Sequence, residues 1–161
     1  MLSVYLLGVG LAACPPAVQI EQPDCGVQLV ATARIQVNTQ RMAAIISAFR
    51  RENGLGPVRV DAQLNAFALR HSRAMATYNA MGHDVGASWS ERRRAVRARV
   101  MAENVGAAYN NVDEAFESWR NSPSHRANML DPVVTRIGIA AVPAPGSQFY
   151  RNFWTLVLAS R

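Results

Sequence analysis

Apolar side chains recur with helical spacing in the first half of this chain. One stretch opens at Asn38 or Thr39, ends at Asn53-Gly54, and places on one face Met42, Ile45, Ile46 and Phe49. A longer stretch starts at Asp61, and its apolar stripe comprises Leu64, Phe67, Ala68, His71, Met75 and Tyr78. Asparagine and aspartate are good N-caps, and an apolar repeat of three to four residues is typical of an amphipathic helix. The pattern therefore predicts two helices, separated by a loop over "GLGPVRV".

Shorter helical segments follow. After a loop over 80–90, we expect the basic stretch "SERRRAVRAR" at positions 90–99 to be helical. Asn111 with Glu114 resembles a capping box, which would open a helix with Ala115, Phe116 and Trp119 facing inward. Ser122-Pro123 suits the cap and the first position of one more short helix, and Asp131-Pro132 ends it. The intervening "VMAENVGAAYNN" fits neither a helix nor a strand pattern clearly.

Strand patterns appear only near the end of the chain. "VTRIGIAAV" and "FYRNFWTLVLA" are rich in β-branched and aromatic residues, and the turn-rich "PAPGSQ" separates them. No internal repeat, low-complexity segment or second domain is visible. At 161 residues and 50% hydrophobic composition, the sequence predicts a single α+β domain with a substantial core.

The N-terminus has the pattern of an export signal. "MLSVYLLGVGLAAC" is apolar and uncharged, too short to cross a bilayer and of the length of a secretory signal, although no basic residue precedes the apolar run. Leu11-Ala12-Ala13-Cys14 is similar to the lipobox of bacterial lipoproteins, in which the cysteine is acylated. We therefore expect a signal peptide over 1–13, lipidation at Cys14, a tether over 14–37 and a folded domain over 38–161. If the signal stays uncut, Cys14 and Cys25 could instead form a disulfide in an oxidising compartment.

The charge balance favours an anionic partner. The net charge is +6, and every basic residue is an arginine. Acidic envelope polymers, lipid headgroups and nucleic acid all carry the complementary charge. The run "ERRRAVRAR" has only Trp89 close by as an aromatic that could stack on a base, so we interpret it as a solvated helix face and discount nucleic acid. We expect a monomer attached to the membrane through its N-terminal lipid.

Three histidines and one glutamate are the candidates for site chemistry. His71 lies on the apolar stripe of the long helix, which predicts a hydrogen-bonded core histidine. His83 lies in a loop, and His125 lies in the first turn of a short helix, where the helix dipole disfavours the charged ring. Glu103 lies among small residues in "AENVG". Two histidines and one carboxylate are a common zinc ligand set, although this spacing is not a local motif.

Several segments together resemble one protein family. "LNAFALRHSRAMA", "GHD", "AENVG", "AFESWRNSPSHRANMLDPVVTRIGIA" and "NFWTLVLA" follow one another in the order and spacing of the bacterial CAP domain, the superfamily of cysteine-rich secretory, antigen 5 and pathogenesis-related proteins. The resemblance covers about residues 40–159. The pattern W-x-N-S-P-x-H-R-x-N-x-L-x-P is its most specific part.

This resemblance implies a fold and a cleft. The fold is an α-β-α sandwich with a central antiparallel sheet. The implied cleft residues are His83, His125 and Glu103. In several members of the family the corresponding residues hold a divalent metal such as zinc. Asn128 matches an asparagine that braces the site, and Trp119 matches a packing tryptophan. The second acid that eukaryotic members carry after the tryptophan is replaced here by Arg120 and Asn121.

The sequence therefore indicates an exported, lipid-anchored CAP-domain protein of the bacterial envelope that binds a divalent metal, zinc foremost, or a small ligand without turning it over. The alternative is a metal-assisted hydrolase of peptide, glycan or nucleic acid, with the metal on His83 and His125 and with Glu103 binding it or activating water. A third possibility is a scaffold whose cleft is vestigial. Three candidate groups leave one catalytic role vacant, which favours binding. Family membership alone does not decide an activity.

Overall fold

The computed structural model describes Ile35 and residues 37–161. The predicted signal peptide, Cys14, Cys25 and nearly all of the predicted tether lie outside these residues. The end of that tether is described, and there Ile35 and Val37 pack against the core. Within the described residues, no helix has the length and apolar character needed to cross a membrane.

Helices and strands mix along the chain. Their bounds are α1 Thr39–Glu52, β1 Arg59–Val60, α2 Ala62–Tyr78, α3 Trp89–Arg93, β2 Met101–Ala107, α4 Val112–Asn121, α5 Pro123–Met129, β3 Arg136–Pro143 and β4 Asn152–Ala159. The two predicted caps of the long helices are confirmed. The Asn38 side chain accepts from the Arg41 N–H at 2.9 Å, and the Asp61 carboxylate accepts from the N–H groups of Gln63 and Leu64 at 2.8 and 3.1 Å.

One four-stranded sheet runs through the domain in the order β1-β3-β4-β2. Strand β4 pairs antiparallel with both β3 and β2, while the two-residue β1 pairs parallel with β3. The predicted antiparallel sheet is therefore correct for its three long strands, and a short parallel strand is added at one edge. Strand β2 forms the other edge, which leaves one side of its backbone open to other partners.

The sheet is covered by helices on both faces, which is why every residue of β4 is buried. Trp154, Leu156 and Leu158 point into a core shared with α1, α4 and α5. Alternate residues, among them Val157 and Ala159, point into a core shared with α2. This alternation is the period of two that a strand imposes. The α-β-α sandwich expected from the resemblance is confirmed.

Close contact between α2 and the sheet depends on one glycine. A Cβ added at Gly138 of β3 would lie 2.1 Å from the backbone carbonyl carbon of Leu64. The neighbouring Ile139 N–H donates to the Asn65 side chain at 2.9 Å. Because α2 rests on the strand at this point, its inward face, including His71, is held at a fixed height above the sheet.

Three local predictions were wrong, and a segment that the sequence left undecided is a strand. Tyr78, which was assigned to the apolar stripe of α2, is the last residue of that helix and is 64% exposed to solvent. The basic helix expected over 90–99 is only Trp89–Arg93. "MAENVGA" is a strand although its small residues and its Glu-Asn pair hid the pattern. Ser122 occupies the N-cap of α5, but its side chain makes no capping hydrogen bond.

Candidate functional site

His71 anchors the loop that carries His83. Its ring is almost fully buried on α2, and Nε2 lies 2.8 Å from the carbonyl oxygen of Gly82. Burial lowers the pKa of His71, although the nearby Glu103 charge opposes that shift. A neutral ring that donates from Nε2 leaves Nδ1 as a bare acceptor, and Nδ1 has no hydrogen-bond partner among the described residues. The prediction of a hydrogen-bonded core histidine is confirmed.

Helix α3 turns one arginine inward. Ser88 and Glu91 form a capping box, in which Ser88 Oγ accepts from the Glu91 N–H and the Glu91 carboxylate accepts from the Ser88 N–H. This fixes the start of the helix, so the fourth residue, Arg92, points back toward the sheet. Its side chain is 13% exposed, whereas Arg93 and Arg94 are exposed.

Glu103 lies at the centre of the polar contacts. Its side chain on β2 is 1% exposed. Arg92 donates to both carboxylate oxygens, at 2.8 Å to Oε2 and 2.9 Å to Oε1. His83 Nδ1 lies 3.0 Å from Oε1, and His71 Nε2 lies 3.6 Å from the same atom. The carboxylate is thus paired with a bidentate guanidinium, the strong form of a charged hydrogen bond.

His83 is oriented by these partners. An ionised carboxylate only accepts, so the His83 ring donates from Nδ1 to Glu103, and its Nε2 is left with a free lone pair. The His83 side chain is 48% exposed. The Arg92 guanidinium also donates to the His83 backbone carbonyl at 2.5 Å. A carboxylate that fixes the tautomer in this way is the arrangement found behind metal-binding and proton-accepting histidines.

His125 and Asn128 approach β2 from α5. The His125 carbonyl accepts from the Asn104 side chain at 3.1 Å, and Asn128 Nδ2 donates to Asn104 Oδ1 at 2.8 Å. Asn128 Nδ2 also lies 3.5 Å from the Glu103 carbonyl oxygen. Burial, followed by the nearby His83, lowers the pKa of the His125 ring. The neutral imidazole expected from the helix position is thus favoured here by burial.

The edge strand directs its two polar side chains to opposite faces. Successive side chains leave a strand on opposite faces, so Glu103 points to the α2 side and Asn104 to the α5 side. Glu103 therefore meets His83 and His71, whereas α5, which carries His125, contacts Asn104. Within residues 37–161, no three histidine, cysteine, aspartate or glutamate side chains are placed to hold a metal ion.

The fit of a metal to these residues follows from the same contacts. Both Glu103 oxygens are occupied by Arg92, so this carboxylate does not fit as a ligand while Arg92 stays in place. The imidazoles of His83 and His125 remain as donors. Two imidazoles are one donor fewer than the three protein ligands of a typical catalytic zinc site.

A cleft of about 500 Å³ opens beside this network. It is lined by His83, Asp84, Trp89, Ser90, Met101, Ala102, Glu103 and Asn128. Asp84 accepts from the Trp89 backbone N–H at 2.7 Å, which closes the loop between His83 and α3. The sequence suggested neither Asp84 nor Trp89 as a site residue. The most important omission is Arg92, because a run of arginines gives no sign of which one turns inward.

The sequence and the fold are similar to those of known proteins. A model of the cysteine-rich secretory protein family, the CAP family, matches residues 43–158. The chain belongs to this family. The match contains every residue that lines the cleft, from His83 through Asn128.

Relatives of this CAP protein occur in several bacteria. YkwD of Bacillus subtilis strain 168 is 25% identical over 127 residues, which are 76% of this chain and 49% of that protein, so the chain spans about half the length of that relative. The structure of an extracellular SCP-domain protein of Bacillus anthracis matches with a TM-score of 0.65 and 24% identity over 76% of this chain and 40% of that one. An outer surface protein of Borrelia burgdorferi matches with a TM-score of 0.65 and 15% identity, over 76% of this chain and 91% of that one. At these identities the two structures show a shared fold.

Proposed function

We propose that this CAP protein is exported, anchored to the bacterial envelope by a lipid on Cys14, and binds a ligand in the His83/His125 cleft without turning it over. The uncharged apolar run that ends in Leu11-Ala12-Ala13-Cys14 supports export and lipidation. The similar B. anthracis protein is extracellular and the similar Borrelia protein is an outer surface protein, which also supports the proposal of export.

The observation that carries the binding function is the pairing of Glu103 with Arg92. A general base needs a carboxylate free to take a proton, and a metal ligand needs a free oxygen lone pair directed at the ion. Glu103 is buried and has both oxygens on Arg92, so it orients His83 and takes no part in chemistry itself. The cleft then presents the His83 imidazole to a bound molecule, and His125 lies near enough to His83 for the two charges to interact.

The ligand that these groups favour is a divalent cation held by His83 Nε2 and His125, or a small polar molecule that hydrogen-bonds to the same nitrogens. Zinc is the first probe because neutral imidazole is one of its preferred ligands. With two protein donors, binding should be weak and should depend on both rings.

A hydrolase using the same cleft is the second candidate, and one contact favours it. The hydrogen bond from His83 Nδ1 to Glu103 leaves Nε2 as a proton acceptor, the arrangement of a general base. Peptide, glycan and nucleic acid substrates should be tested with zinc present. Turnover by the wild type that is absent from the His83→Ala/His125→Ala variant would favour the hydrolase over pure binding.

Zinc titration by calorimetry tests the binding function. We expect weak binding to the wild-type protein and a loss of most of the affinity with alanine at either His83 or His125. Equal zinc binding by the wild type and the double variant would contradict the proposed site. Mass spectrometry of the membrane fraction tests the anchor, since a mature soluble protein with an unmodified Cys14 would contradict lipidation.

A further inference from the structure

Arg92 differs from the other arginines of its segment. Arg93 and Arg94, next along the chain, are exposed, but the Arg92 side chain is 13% exposed and meets a fully buried carboxylate. It is the group that brings positive charge to the cleft wall at Glu103. Arg92 therefore acts on a buried carboxylate, whereas the charges of Arg93 and Arg94 face solvent.

The guanidinium is held on several sides. Its central carbon lies 5.4 Å from the ring centre of Phe67 and 5.2 Å from that of Trp89, within the range of cation–π attraction. Two of its nitrogens hold Glu103, and one of these also reaches the His83 carbonyl. A planar fork with aromatic and carboxylate partners is a geometry that arginine forms and lysine does not.

We propose that Arg92 is the resident cation of the cleft. It pairs with the Glu103 carboxylate in place of a metal ion and thereby weakens the binding of divalent cations in the cleft. This inference rests on the proposed binding function and adds the residue that determines its specificity. Arg92 and Glu103 together contribute no net charge to the cleft, so an incoming cation finds the buried Glu103 charge already compensated.

Electrostatics gives the direction of the effect. A divalent ion on the imidazoles gains little from a carboxylate whose charge is already neutralised, and it is repelled by the nearby guanidinium. Removing the guanidinium leaves a buried negative charge beside the ion site. Zinc affinity should then rise, and the rise should require Glu103.

Calorimetric zinc titration of four proteins tests this. They are the wild type, Arg92→Met, Arg92→Met/Glu103→Gln and the matched control Arg93→Met, which removes one exposed charge next door. Methionine keeps an apolar stem between Phe67 and Trp89. We expect Arg92→Met to bind zinc at least about tenfold more tightly than the wild type. The double variant should lose that gain, and Arg93→Met should match the wild type.

Arg92→Gln is the second neutral variant, because its amide can still donate to Glu103 and so covers the case in which Arg92→Met fails to fold. Its zinc affinity should also rise. No gain in a folded neutral variant, a gain as large in Arg93→Met, or a gain that survives Glu103→Gln would each overturn the role of Arg92.

These outcomes are separate from those that test the binding function itself. If the wild type binds no zinc but Arg92→Met binds it through Glu103, the role of Arg92 stands while binding of zinc by the wild-type cleft fails. If the wild type binds zinc through both histidines and Arg92→Met binds no better, the binding function stands and the role of Arg92 fails.

Discussion

Arg92 and Glu103 form a bidentate ion pair, with contacts of 2.8 and 2.9 Å, across the gap between a five-residue helix and the edge strand. The two residues are only eleven positions apart in the sequence, but they belong to different layers of the fold. The pair fixes the carboxylate that orients His83, and it decides which cleft groups remain open to a ligand.

The first prediction concerns the stability of this pair. Glu103→Gln leaves the largely buried Arg92 without its carboxylate, so we expect the free energy of unfolding to fall by about 3 kcal/mol. Arg92→Met should cost a similar amount, because it leaves the buried carboxylate unpaired. Arg92→Met/Glu103→Gln should cost less than the sum, since no buried charge is then left alone. Urea unfolding measures all three, and additive losses would show that the two groups do not interact.

The second prediction concerns pH. Burial lowers the pKa of both His71 and His125, so protons bind to the unfolded chain, with its histidine pKa near about 6.5, more tightly than to these folded sites. The stability contribution of the neutral rings is therefore complete above about pH 6.5 and is lost as the pH falls through the lowered values of the folded state. Urea unfolding between about pH 8 and pH 5 should show this decline. His125→Gln should reduce the slope, and a stability that rises on acidification would contradict the assignment.

The success of sequence interpretation differed between parts of the molecule. Helices α1 and α2 were predictable because Asn38 and Asp61 mark their starts and their apolar faces repeat regularly. Strand β2 was not, because residues on both of its faces are buried and two of them, Glu103 and Asn104, are polar, so its sequence shows no alternation of apolar and polar positions.

The site divided in the same way. The specific motif around His125 and Asn128, together with "AENVG" and "GHD", identified the cleft residues from the resemblance. The pairing of Glu103 with Arg92 could not be predicted from the sequence. Three arginines follow one another, and the one that turns inward is determined by the capping box at Ser88 and by the packing of Phe67 against Trp89, whose rings lie 6.0 Å apart. The contact between the His125 backbone carbonyl and the Asn104 side chain likewise follows from tertiary structure alone.

The third prediction concerns Arg50, whose buried side chain is 1% exposed. It donates to four backbone carbonyl groups, those of Gly56, Met129, Asp131 and Val134, at distances of 2.7 to 3.0 Å. These contacts tie α1 to the end of α5, and thus support the helix that carries His125. Because Arg50→Met leaves several buried acceptors without donors, we expect a loss of at least about 3 kcal/mol in urea unfolding.

Two variants control that measurement. Arg51→Met removes an exposed arginine from the same helix and should leave the unfolding free energy within about 0.5 kcal/mol of the wild type. Arg50→Lys keeps the charge but not the planar fork, so it should recover only part of the loss. A fully stable Arg50→Met would mean that the four carbonyl groups do not depend on this side chain.

The fourth prediction concerns the contact between α2 and the sheet. Gly138→Ala places a methyl group against the backbone of Leu64, which cannot move without shifting the helix. We expect overpacking to lower the free energy of unfolding by at least about 2 kcal/mol. The shift of α2 should also weaken the contact by which His71 holds the loop that carries His83. Gly146→Ala is the matched control, because nothing lies within 4 Å of the added Cβ. Equal thermal stability of the two variants would contradict the close contact.

The central claim, that Glu103 is held by Arg92 and is not a metal ligand, is tested most directly by a crystal structure of the wild-type protein grown with zinc and measured at the zinc absorption edge. The expected anomalous peak, if zinc binds, lies at the His83 and His125 nitrogens, with Arg92 still on both Glu103 oxygens. A zinc peak at about 2.1 Å from a Glu103 oxygen, with Arg92 displaced, would contradict the claim.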